Sequence, residues 1–337
     1  ARHRHHTAKP ETRTTTTCTG IPQFEMKFPQ LPWYLSFASA FGLMVVCLRN
    51  DMAMFKALPT IGPYFTAAYN EVNAPKEINP EHYANVAIVT SVCFLIIRFL
   101  HSICCQGFKR QYYALHVIVN SVVAYLTFNR AVQALLHPAT STIPQEGSSN
   151  SHLYLCWIFA IHVYHPIFFR TGVMDWIHHV PVYILNFFMF GCLSADVFDL
   201  QGIIMTGIPG GLDYLFLVME SEKFMKRSTY KGISASINNW FRAPLGIVSG
   251  YNCLLGLWLN WGSVGTPLLS RYAAGVYLFL GIHAIYNPPF FGRQAIEANI
   301  VDTINRYEMV GLPRGGIKLT DVRSKSGLDP KRDEKSE

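Results

Sequence analysis

Four histidines lie close together in a largely apolar stretch: His162 and His165, then the adjacent pair His178-His179. The i, i+3 spacing puts His162 and His165 on one face of a helix, and Asp175 stands one helical turn before His178. An imidazole serves as a metal ligand, a nucleophile or a general base, and a neighbouring carboxylate orients it and stabilises its charged form. Ionisable groups at membrane depth are costly to bury and so mark function by default. His101, His116 and His283 stand alone in the chain. The plain alternative for His178-His179 is a helix start in the membrane interface, satisfied by water and lipid phosphate.

The elements that must position these residues are membrane helices. Of the 337 residues, 50% are hydrophobic and 15% charged, against about a quarter charged in a soluble domain. A span needs roughly 20 mostly apolar residues. Eight stretches qualify, at 31–48, 85–103, 112–136, 152–169, 180–198, 202–220, 243–260 and 271–287. Of the 28 Lys and Arg, 22 fall in the N-terminal segment, the loops after spans two, four and six, and the C-terminal segment, while 4 fall in the other loops. That asymmetry predicts an even number of spans with both termini on the basic side. It also accounts for the net charge of +7 through anionic lipid head groups, with no nucleic acid. Pro209-Gly210-Gly211 is expected to break or kink the sixth span. The eight cysteines have no C-x-x-C spacing and read as small packing residues, giving no disulfide framework and no zinc site.

The expected organisation is a basic extension over 1–30, a first span and a long loop over 31–84, a helical domain over 85–290 and a polar tail over 291–337. Asn50 to Tyr83 is expected to form a small cap on the less basic face. The first two dozen residues carry Arg2, Arg4, Lys9 and Arg13, a run of threonines and Glu11 as their only acid, the composition of an organelle transit peptide or of a solvated basic tail. Both polar ends are expected to be held by other membrane subunits. Asp196 and Asp199 close the fifth span and are expected in solvent. Arg98 and Arg130, inside spans two and three, snorkel, pair with each other or hold an anionic head group. Together with Arg170 and Arg242 they are the expected lipid-binding residues.

Membrane di-iron enzymes need several histidine clusters, and the isolated His101, His116 and His283 do not supply them, so no metal is expected. His162-Val163-Tyr164-His165 resembles four residues of the fatty-acid elongase histidine box, with Pro166 in place of its next histidine. A longer resemblance runs from about 85 to 290. Arg170, Ile177-His178-His179, a hydrophobic span, a glycine-rich stretch with Asp213 and Trp240-Phe241-Arg242 resemble the TLC-domain family that includes the ceramide synthases. Phe108-Lys109-Arg110 leading into His116 and Ser121 looks like the start of the same domain.

This resemblance implies a TLC-like helical bundle. It further implies acyl transfer from acyl-coenzyme A to a long-chain amine, with His178, His179, Asp175 and Asp213 at the reacting centre. The chain departs from the motif at Thr171, where an acid follows the arginine, at Val182 in place of a threonine, and at Gly210 in place of the first of two aspartates. The expectation drawn from these losses is a non-catalytic, lipid-contacting accessory subunit of a larger complex, in the mitochondrial inner membrane, without a cofactor. The alternative is a lipid N-acyltransferase of the endoplasmic reticulum, with acyl-coenzyme A as substrate.

Overall fold

Asn79 opens the first long helix: its side chain accepts from the amide of His82 at 2.8 Å, and Pro80 takes the first helical position, where no amide donor is needed. The computed structural model describes residues 52, 56–60, 62–73, 78–144, 152–193, 195–266 and 269–309. The expected span at 31–48, the basic extension and the tail beyond 309 lie outside the described residues. All described residues belong to one unit, Leu31–Glu337.

Every named element among them is helical. In chain order these are α1 (Gly62–Asn73), α2 (Pro80–Ile103), α3 (Gln111–Leu136), α4 (Leu153–Phe168), α5 (Val173–Phe190), α6 (Asp196–Gly202), α7 (Ile208–Ser221), α8 (Arg227–Ile237), α9 (Ala243–Leu259) and α10 (Arg271–Met309). A π turn, Ile203–Gly207, joins α6 to α7, and a second, Asn238–Arg242, joins α8 to α9. Three rods, Pro80–Ile103, Gln111–Leu136 and Asp196–Ser221, are long and apolar enough to cross a membrane, and Leu153–Phe168 is apolar but shorter. Their outer faces carry large apolar side chains such as Leu95, Phe128 and Leu136.

Both π turns have the same local cause. Proline lacks an amide donor, and its ring crowds the carbonyl four residues back. For Pro209 and Pro244 those carbonyls belong to Met205 and Trp240, and each lies inside a π turn. The wider turn lets the chain go round without that bond, as the Ile208 amide reaching back to the Ile203 carbonyl shows. The distortion expected at Pro209-Gly210-Gly211 therefore falls one turn earlier, and the helix resumes through the glycines.

The fifth span is corrected. The helix occupies Val173–Phe190 rather than 180–198, and the chain turns at Gly191 and Cys192 before α6 begins. Gly191 fits there because the Tyr272 hydroxyl, which donates to the Phe188 carbonyl at 3.1 Å, lies 2.5 Å from where a Cβ would stand. Asp196 and Asp199 therefore start a helix instead of ending one, and both are buried instead of solvated. The stretch expected as a cap contains α1, which packs on α2. Helix α3 is central and packs against α4, α6, α7 and the first π turn.

Candidate functional site

Helices α3, α4 and α5 bring five histidines together. His162 and His165 project from one face of α4, as their spacing dictates. His178 and His179 are neighbours on α5, about 100° apart around the helix, so each meets a different partner. His162 Nε2 lies 3.3 Å from His178 Nε2, and His165 Nδ1 lies 3.1 Å from His179 Nε2. His116 on α3 completes the group, with ring centroids 6.3 Å from His162 and 6.1 Å from His165. Four of the five are buried, and His178 is half-buried.

Aromatic side chains wall this group. The Tyr112 ring stacks on His165 at 4.0 Å between centroids, and its hydroxyl bonds that of Tyr214 at 2.9 Å. The Tyr214 ring lies 4.4 Å from His116. Tyr183 donates to the His162 carbonyl at 2.7 Å. That carbonyl lies four residues before Pro166, which has no amide to offer it. Asp175 is engaged at the start of α5, where its Oδ2 accepts from the Gly172 amide at 2.7 Å. It acts on His165, His178 and His179 through space rather than through a hydrogen bond.

His178 also lines a partly open cavity bounded by residues of α4, α5, α6, α10 and the first π turn. Its lining is mainly apolar, with His178, Asn186, Gln201, Thr206, His283 and Asn287 as polar points. Small-molecule sites likewise set a few polar groups on apolar walls. Val182 is part of this wall.

The remaining expected residues disperse. Asp213 faces Arg242 and Tyr230; its Oδ1 and the Arg242 Nε are both buried without a hydrogen-bond partner. Arg242 Nη1 donates to Asn238 Oδ1 at 3.1 Å. Burial and the nearby Asp213 carboxylate push the Tyr230 phenol up from its ordinary value. A Cβ at Gly210 would stand 3.0 Å from Asn120 Nδ2, so a larger residue there would have to shift the Asn120 side chain. Arg98 lies over the Phe168 ring at 4.8 Å, and Arg170 is exposed. Arg130 neither pairs with Arg98 nor is left for a lipid head group. Its Nε donates to Asp196 Oδ1 at 2.7 Å and its Nη1 lies 3.5 Å from Asp199 Oδ2, because α6 packs its first turn on α3.

His116, which the sequence sets apart from the other four histidines, joins them here, and Tyr112, Tyr183 and Tyr214 were not foreseen from the sequence. The one local signal was the i, i+4 spacing of Tyr112 and His116. His101 belongs elsewhere, bonded to Tyr164 and Gln111 at 2.6 Å each. Among the described residues, no three or more His, Cys, Asp or Glu side chains are arranged to hold a metal ion. The six described cysteines are free and buried. In comparisons with family models, curated proteins and solved structures, nothing matches this chain.

Proposed function

We propose that this chain is an integral membrane protein of about eight spans, a TLC-like bundle that binds a long-chain lipid in the cavity and transfers an acyl group beside His178. The observation that carries the reading is the position of His178. One ring nitrogen is held by His162, while the residue lines a mainly apolar cavity. Outward-facing apolar side chains on the long rods support membrane residence, since lipid is the solvent that would cover them.

In the proposed reaction the substrate amine attacks the thioester carbonyl of acyl-coenzyme A. A carbon–nitrogen bond forms and the carbon–sulfur bond breaks. The amine proton passes to His178 and from there to the departing thiolate. His162 holds the ring of His178 from the side of α4, and Tyr112 and Tyr214 wall the histidines behind it. The endoplasmic reticulum is the compartment this reading favours.

The test is acyl transfer from long-chain acyl-coenzyme A to a sphingoid base by the purified full chain. Turnover that falls at least about 100-fold in a folded His178→Ala variant is expected, the scale at which a general base contributes. A full chain with no turnover, or turnover unchanged in the variant, would overturn the reading.

A second reading rests on its own observation: no carboxylate is hydrogen-bonded to any of the five imidazoles, and Thr171, Val182 and Gly210 supply none. It makes the chain a non-catalytic, lipid-contacting accessory subunit, for which the acid-poor N-terminal composition favours the mitochondrial inner membrane. Lipid bound in the cavity without turnover, in a protein isolated only with partner subunits, is the outcome that selects it.

A further inference from the structure

We propose that His162 is a positioning residue: hydrogen bonds originating at its ring and at its carbonyl fix the tautomers of His178 and His179 and leave Nδ1 as the bare nitrogen of His178. The proposal rests on the reading of His178 as the base. It also answers what orients that base where the motif's acids are missing.

The assignment follows from donors and acceptors. A neutral imidazole has one N–H and one lone pair, and a backbone carbonyl only accepts. His162 Nδ1 lies 2.7 Å from the Ile158 carbonyl, so Nδ1 carries the hydrogen and Nε2 the lone pair. The contact of 3.3 Å to His178 Nε2 then requires His178 to donate. Its single hydrogen is thereby on Nε2, and Nδ1 is bare.

The second chain is independent of the first. The Tyr183 hydroxyl spends its one hydrogen on the His162 carbonyl, so towards His179 Nδ1, 3.4 Å away, it can only accept. His179 therefore carries its hydrogen on Nδ1 and accepts at Nε2 from His165 Nδ1, 3.1 Å away. The bare nitrogen of His165 is then Nε2, in the ring stacked on Tyr112. Pro166 has a role here: with no amide at 166, the His162 carbonyl is left open for Tyr183. Within His162-Val163-Tyr164-His165-Pro166, the ring and carbonyl of His162 and the missing amide of Pro166 thus set both chains, and His165 ends the second.

The experiment uses the ¹⁵N-histidine-labelled full chain in lipid bilayers, reading by NMR which ring nitrogen of each histidine bears hydrogen. Wild-type protein is expected to show His178 bare at Nδ1, and His165 bare at Nε2. In His162→Phe the fixed His178 tautomer should be lost, and in His162→Gln, which restores an acceptor, it should return. With acyl transfer as readout, His162→Phe should lower kcat about 100-fold with KM unchanged, and His162→Gln should recover most of it.

Hydrogen on Nδ1 of wild-type His178 would overturn the proposal without any variant having to fold. So would a His162→Phe protein that keeps both the tautomer and the rate. A chain that transfers no acyl group refutes the functional reading instead, because the wild-type tautomers are read without turnover.

Discussion

Arg130 shows how much a single side chain can carry when water is excluded. It faces Asp196 and Asp199, and Asp199 is fully buried with neither carboxylate oxygen accepting a hydrogen bond. Removing one partner of a buried ion pair leaves uncompensated charge and costs about 3–5 kcal/mol. Arg130→Met is therefore expected to destabilise the protein by that amount, read as a shift in denaturant or thermal unfolding in detergent. A loss below about 1 kcal/mol would mean that the charges are solvated in the membrane-embedded protein. A second prediction concerns Cys104 and Cys105, at the end of α2. Burial pushes both thiols up from their ordinary value, with the neighbouring Cys104 adding to the rise at Cys105. Since only the thiolate is reactive, neither should be alkylated by maleimide at neutral pH until the protein is unfolded. Mass spectrometry of the labelled peptide decides this, and rapid modification of the folded protein would refute it.

Between elements, glycine sets how closely α9 and α10 approach. A Cβ on Gly250 would stand 2.5 Å from the Gly281 carbonyl, and one on Gly281 would stand 2.7 Å from the Leu254 side chain. A backbone carbonyl cannot swing aside as a side-chain tip can, so the helices would have to separate. Gly250→Val is expected to destabilise by about 1–3 kcal/mol or more, the cost of overpacking. Gly275, on the same helix as Gly281, has open space around its missing side chain. Gly275→Ala should instead stabilise by about 0.5–1 kcal/mol through reduced backbone entropy. Unfolding measurements on the two variants test the argument as a pair, and equal effects would refute it. The π turns belong to this scale too, because each prepares the helix for a proline shortly after it. The local rule that proline disrupts a helix was legible in the sequence; that the disruption would take the form of a wider turn one step earlier was not.

For the whole molecule, the alternation of basic and neutral loops makes a topological prediction that does not depend on the site. The segment around Lys226 should lie on the side of the C-terminal tail, and the turn around Gly262 on the other, with Ala243–Leu259 crossing between them. Lys226→Cys and Gly262→Cys proteins in sealed vesicles should react with a membrane-impermeant thiol reagent from opposite sides. Labelling of both from one side would rule out the eight-span arrangement.

Hydropathy, helix punctuation and charge asymmetry are local or additive properties, and they were readable before any fold was known. The long rods at Pro80–Ile103, Gln111–Leu136 and Asp196–Ser221 fall where apolar length placed spans two, three and six. The shared face of His162 and His165 was equally legible, because helix geometry puts i and i+3 side by side. The helix end at Phe190 and the turn at Gly191 were not, because Gly191 is held there by Tyr272, about 80 residues away in the chain. Nor was the pairing of Arg130 with Asp196 and Asp199, or the entry of His116 into the histidine group. Which polar groups meet inside an apolar bundle depends on how its helices are rotated and shifted against one another. That is decided by the summed packing of many side chains, with glycines such as Gly250 and Gly281 setting the closest approach. Helical periodicity and apolar length were enough to place helices here, with the potential chemistry on α4 and α5. That the His162 ring meets His178 and the Tyr183 hydroxyl meets His179, with no carboxylate on either, follows from how α4 and α5 pack.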